Sequence, residues 1–125
     1  MVILGIDPGI AIVGYGIIEY KNNKFRVIDY GAVTTNANTP TDQRLALVYK
    51  GIDILIKNYN IDEVAIEELF FNKNVKTAIT VAQARGVIML ACTHNNKPIY
   101  EYTPLQVKQG VVGYGRAQKM QVQQM

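Results

Sequence analysis

The spacing of hydrophobic and polar positions changes several times along the chain, and each change marks an element. Val2 to Ile6 is a short apolar run stopped by Asp7-Pro8-Gly9, the pattern of a buried strand ended by a turn. Gly14 to Tyr20 and Phe25 to Thr34 read as two strands joined through Lys21-Asn22-Asn23-Lys24. Asparagine tolerates the positive φ that such a tight hairpin needs. After a loop at Asn36 to Pro40, Leu45, Val48, Ile52, Leu55 and Tyr59 recur at three- and four-residue spacing. That spacing predicts one apolar face of a helix from about Asp42 to Asn58, with Asn60 as its stop.

Glu63 to Glu67 is a short strand, followed by a loop at Phe70-Phe71. A second helix is predicted from about Val75 to His94, rich in small residues: Ala78, Ala82, Ala84, Gly86 and Ala91. Such residues permit close approach, either to a sheet or to a second subunit. Pro98 to Tyr102 is a last strand, and Thr103-Pro104 opens a short helix, since proline suits a first turn. Gly110 to Gly115 is a glycine-rich loop, and a new helix begins at Arg116. Strands joined by hairpins pair antiparallel, whereas strands separated by helices pair parallel. The expected architecture is therefore α/β: a mixed sheet of three antiparallel and then two parallel strands, with helices on both faces. Met120, Val122 and Met125 start an amphipathic helix that meets no cap, glycine or proline, so the chain is expected to be a truncated piece of a longer protein.

Composition narrows the class. A chain of 125 residues with 49% hydrophobic and 18% charged residues suits one folded domain, 1–125. It contains no run of eighteen or so uncharged apolar residues and no signal-peptide pattern at its start. A single cysteine, Cys92, excludes a disulfide framework and a multi-cysteine zinc site, and fits a reducing cytoplasm. It reads as a buried small hydrophobe, and His94 as a capping or surface residue. Charge is unevenly placed. Residues 1–71 carry six Lys or Arg against nine Asp or Glu, while residues 72–125 carry seven basic residues against Glu101 alone. The basic half is either a solvated face or the footprint of a polyanion such as DNA.

Asp7 closes the first apolar strand and Glu67 closes the run Val64-Ala65-Ile66. Carboxylates at strand ends are rigidly held and open toward the crevice where α/β sheets bind ligands. If the two strands are neighbours, the carboxylates converge, repel each other and call for a hard divalent cation. Singly, Asp7 reads first as a turn-forming residue before Pro-Gly, and Glu67 and Glu68 as a solvated strand end; only as a pair do they weigh equally as a site. Alternation sends Glu67 and Glu68 to opposite faces, so only one of them can serve the site.

Gly5-Ile6-Asp7-Pro8-Gly9 with Gly14-Tyr15-Gly16, Ala65-Ile66-Glu67 with Phe70 and Lys73-Asn74, Gln83-Ala84-Arg85-Gly86-Val87, and Gln106-Val107-Lys108-Gln109 through Val111-Val112-Gly113 to Lys119 together resemble the RuvC family of Holliday-junction resolvases. Singly these motifs are common; the ordered set, running nearly end to end, is specific. The resemblance implies a ribonuclease-H-like fold, a homodimer, and paired Mg²⁺-dependent incisions across four-way junction DNA in recombination and repair. By matching position, Asp7 and Glu67 would bind metal, two ions per site, with Mn²⁺ as a substitute. Lys108 and Lys119 would lie by the scissile phosphate, and Phe70 would meet a base near the junction centre. Lys73, Asn74, Lys76, Arg85 and Arg116 join these as expected DNA-binding residues. On residue pattern alone Phe71 is core, and Lys108 and Lys119 are a solvated helix face. A branch-migration motor is the implied protein partner.

The chain departs from the family pattern in one respect. The family carries two further metal-binding positions in an Asp-rich C-terminal helix, and no Asp or Glu follows Glu101 here. This chain, taken as lacking that acidic helix, is expected to cleave slowly or not at all, and the intact protein to be active. Two other readings are a branched-DNA-binding module without catalysis and a fragment of an actin-like ATPase, whose first phosphate motif also pairs a strand with Asp-Pro-Gly.

Overall fold

A computed structural model describes residues 1–68 and 75–102. The elements in chain order are β1 (Val2–Asp7), β2 (Ile12–Lys21), β3 (Lys24–Thr34), α1 (Thr41–Asn58), β4 (Glu63–Glu67), α2 (Val75–His94) and β5 (Ile99–Tyr102). They form one five-stranded sheet in the order β3-β2-β1-β4-β5. β1, β2 and β3 pair antiparallel, and β1, β4 and β5 pair parallel. The switch falls at β1 for a simple reason. Hairpins can only reverse direction, whereas α1 and α2 return the chain to the starting edge for parallel strands.

The hairpin turns on Asn22 and Asn23, at φ of 54° and 60°. Asn60 (φ 51°) ends α1 as its sequence position predicts, and Asn96 (φ 58°) does the same after α2, which the sequence reading did not single out. His94 lies at the surface, one of its two expected settings, and its Nδ1 and the Tyr49 hydroxyl of α1 lie 2.6 Å apart. Asn95 Nδ2 donates to Asp53 Oδ1 at 2.8 Å, a second tie between the helices.

α1 and α2 pack against each other and against one face of the sheet. Leu4 and Ile6 of β1, Val13 and Ile17 of β2, and Val64 and Ile66 of β4 meet Val48, Ile52, Leu55 and Ile56 of α1 and Ile88, Ala91 and Cys92 of α2 in a single core. Cys92 is buried among these groups, and burial pushes its thiol up to about 11. α1 comes close to β3 at Gly51, where an added Cβ would stand 2.8 Å from Val33 Cγ1. Alternation sends Ile3, Gly5 and Asp7, Gly14, and Ala65 and Glu67 to the other face. The helices expected to cover that second face fall at 103–125, outside the described residues.

Candidate active site

The site grows out of register. β1 and β4 pair in parallel through Gly5↔Ala65 and Ile6↔Ile66, so the next step along both strands sets Asp7 beside Glu67 at their C-terminal ends. Ile6 and Ile66 are buried toward the helices, so Asp7 and Glu67 both face the other way. Glu68 alternates off that face, and its amide donates to the Tyr102 carbonyl of β5 at 2.7 Å.

The two carboxyl groups interact. Partial burial, then the charge of Asp7 and a hydrogen bond with it, hold the Glu67 carboxyl above its ordinary range. Two oxygen-donor groups that share space and repel make a hard cation the natural third partner. Among the described residues no cluster of three or more His, Cys, Asp or Glu side chains accompanies them. The pair therefore fits a metal by donor chemistry and proximity, with two protein ligands.

Room beside Asp7 comes from glycine. A Cβ built on Gly14, across the antiparallel pair, would sit 3.7 Å from the Asp7 Cβ and nearest to it. Gly9 is tighter: its Cβ would stand 2.3 Å from the Ile12 carbonyl oxygen, and its φ is not in the left-handed region. Asp7-Pro8-Gly9 thus needs glycine for space rather than for backbone freedom. The loop is tied from outside as well. Thr35 donates from its hydroxyl to the Ile10 carbonyl and from its amide to the Ala11 carbonyl (3.0 Å), while Arg44 Nε of α1 donates to the Thr35 hydroxyl at 3.0 Å. These ties cross 9 to 25 residues of sequence, and no local pattern announces them.

Of the other residues expected at the site, Lys76 lies exposed in the first turn of α2. Arg85, expected on DNA, is committed within the protein. Its side chain is 17% exposed and pairs with Glu101 of β5, while Nε donates to the Glu67 backbone carbonyl at 3.4 Å. It approaches Glu67 from the helix side of the sheet. Arg85 precedes Ile88 by three and Cys92 by seven positions, on the flank of the buried helix face, a face that packing rather than spacing identifies. Phe70, Lys73, Asn74, Lys108, Arg116 and Lys119 fall outside the described residues.

Residues 3–125 match the family model described as crossover junction endodeoxyribonuclease RuvC. A protein of that description from Clostridioides difficile (strain 630) is 82% identical over 125 residues, covering all of this chain and 74% of the relative. One from Alkaliphilus oremlandii (strain OhILAs) is 63% identical over 125 residues and is 76% covered. Among solved structures, Thermus thermophilus RuvC in complex with a Holliday junction substrate superposes with a TM-score of 0.82 at 31% identity, over 89% of this chain and 69% of that one. The match spans both carboxylate-bearing strands, and on this evidence the chain belongs to the RuvC family of crossover junction endodeoxyribonucleases.

Proposed function

We propose that Asp7 and Glu67 hold divalent metal in a structure-selective endonuclease that resolves four-way DNA junctions. Family membership supports the activity, and one observation carries the site: two carboxylates on adjacent parallel strand ends, facing the same way and repelling each other. Mg²⁺ is the proposed cofactor, two ions per site, with Mn²⁺ as a substitute. Metal bound there supplies Lewis acidity for phosphodiester hydrolysis. The chain's own residues do the rest. The strand ends fix the carboxylates, Lys108 and Lys119 stabilise charge developing on the phosphate, and Phe70 offers a ring face to a base at the branch point. Lys73, Asn74, Lys76 and Arg116 complete the DNA contacts; Arg85 leaves that set.

A homodimer matches the two-fold symmetry of a four-way junction. α2 supports it. Although one flank is buried, Ile79, Ala82, Gly86 and Leu90 line the exposed flank, Ile79 and Leu90 at 54% and 49% exposure, and a Cβ on Gly86 would meet nothing within 4 Å. The helix is long and apolar enough by composition to cross a membrane, but Ala84, Ile88, Ala91 and Cys92 seat it in the core, and subunit contact accounts better for the remainder. A cytoplasmic setting and a branch-migration motor as partner complete the reading. The family match over residues 3–125 displaces the actin-like ATPase reading.

The test is cleavage of a four-way junction and of a linear duplex of the same sequence, with Mg²⁺, by this chain and a full-length relative. Only the junction should be cut. No acid follows Glu101 in the sequence, so the relative should be the faster enzyme. Asp7→Asn and Glu67→Gln, made in either protein, should each reduce cleavage about 100-fold or more, as expected when a metal ligand rather than an outer partner is lost. Cleavage that persists in both variants overturns the site. Tight junction binding with no cleavage by either protein would instead favour a binding module.

A further inference from the structure

Arg85 stands on the opposite side of the sheet from the Asp7 and Glu67 carboxylates, yet it touches the residue that bears one of them. We infer that Arg85, anchored by Glu101, is a positioning residue that fixes the end of β4 and so holds Glu67 in place to share a metal with Asp7. The inference rests on the reading of those two carboxylates as the metal site.

The β4–β5 ladder ends at Glu67↔Tyr102, with one further bond from the Glu68 amide to the Tyr102 carbonyl. The last carbonyl of β4 takes its donor from Arg85 Nε at 3.4 Å. The same guanidinium pairs through a terminal nitrogen with Glu101, which β5 holds at the register position beside Ile66, and its other terminal nitrogen lies 3.3 Å from Met89 Sδ. One planar fork thus ties α2, β4 and β5 together one peptide from the metal-binding side chain.

Such a tie has work to do. Asp7 and Glu67 repel, and a free strand end would relieve the repulsion by swinging Glu67 away. Arg85 does not neutralise the carboxylate, which lies across the sheet. It restrains the backbone that carries it. Lysine cannot replace it in this role. An ammonium is a point donor that keeps the pairing with Glu101 but lacks the fixed geometry to serve the carbonyl too.

The experiment uses Arg85→Lys, Arg85→Met and Glu101→Gln in the 125-residue chain. Mn²⁺ broadening of the Asp7 and Glu68 amide NMR signals reports metal binding even where it is weak. The midpoint should rise about tenfold in both Arg85 variants, the lower end of losses for residues behind a metal ligand, and less in Glu101→Gln. Hydrogen exchange of the Glu68 amide should quicken in the same order. Junction affinity in saturating Ca²⁺ and its salt dependence should not change. Lysine restoring the wild-type midpoint would reduce the contact to a structural ion pair and overturn the inference. Weakened junction affinity with a flatter salt dependence would place Arg85 on DNA and overturn it too. If Arg85→Met does not fold, Arg85→Lys carries the test. Wild-type chain that shows no broadening removable by Asp7→Asn would refute the metal site. The Arg85 tie would then stand or fall on Glu68 exchange alone.

Discussion

Glu67 is held where its charge is least welcome, and the cost belongs to the fold. Its carboxyl is raised by burial and by Asp7, so the native state binds a proton there more tightly than the unfolded chain does. Below the ordinary glutamate range the group is neutral in both states and contributes nothing. As pH climbs from that range through the raised native value, the native state loses stability. Glu67→Gln should therefore stabilise the metal-free chain at neutral pH, by about 0.5–2 kcal/mol as for other substitutions that relieve a functional strain, and should flatten this part of the pH profile. Urea unfolding at several pH values measures both. Mg²⁺ or Mn²⁺ should stabilise the wild-type chain above the raised value and leave Glu67→Gln unmoved; a variant less stable than wild type at neutral pH would contradict the account. Gly9 makes a second residue-scale case. Gly9→Ala drives a methyl into the Ile12 carbonyl, which stands 2.3 Å from where the Cβ would be. The Asp7 loop must shift, at a cost of roughly 1–3 kcal/mol, with metal binding weakened alongside. That Asp7 and Glu67 end strands was legible in their apolar runs; alternation says that only one of Glu67 and Glu68 shares the face of Asp7, and the register of β1 with β4 makes it Glu67. The pairing of Arg85 with Glu101 was not legible because a positive charge looks the same whether it faces phosphate or a carboxylate of its own chain. Thr35 and Arg44 were invisible for another reason: their partners lie in a loop that only the finished fold brings near.

The elements were legible to the extent that local chemistry dictates them. The hairpin follows from two asparagines at positive φ, and α1 from apolar spacing closed by Asn60. The structure starts β2 at Ile12, two residues ahead of the sequence reading, because pairing with Thr34 of β3 extends the strand beyond its apolar pattern. α2 is harder to read. Apolar residues surround it, so periodicity does not say which flank is core, and only contact with α1 and the sheet decides. That leaves the flank of Ile79, Gly86 and Leu90 without cover among the described residues. Leu90→Glu and Ile79→Glu place charge on exposed positions and should cost the monomer little, within about 0.5 kcal/mol. In a dimer that buries this flank, each should weaken association tenfold or more, as expected for a charge left unpaired in an apolar interface. Sedimentation velocity across a concentration series reads the difference. Wild-type chain that stays monomeric at high concentration, or variants that dimerise as well as wild type, would remove α2 from the interface.

At the scale of the whole molecule, order and sign of charge work together. β1 is the central strand, antiparallel to β2 on one side and parallel to β4 on the other, and this placement makes the ends of β1 and β4 neighbours. The carboxylates thus come from the acidic part of the chain, residues 1–71, while residues 72–125 hold seven of the thirteen basic residues and one acid. An acidic centre repels a phosphate backbone unless metal and a basic surround outweigh it, so the basic part must supply the affinity. If about five phosphates are neutralised per chain, log K for a four-way junction should fall with log salt at a slope near −4.5 for each chain bound. Measured in Ca²⁺ to separate binding from cleavage, Arg116→Ala and Lys119→Ala should each lessen that slope by about one. Arg85→Met should leave it unchanged, because the charge it removes is paired with Glu101 rather than with DNA. A shallow wild-type slope, near −1, would mean that the basic half is only a solvated face and that junction recognition draws on shape and stacking instead.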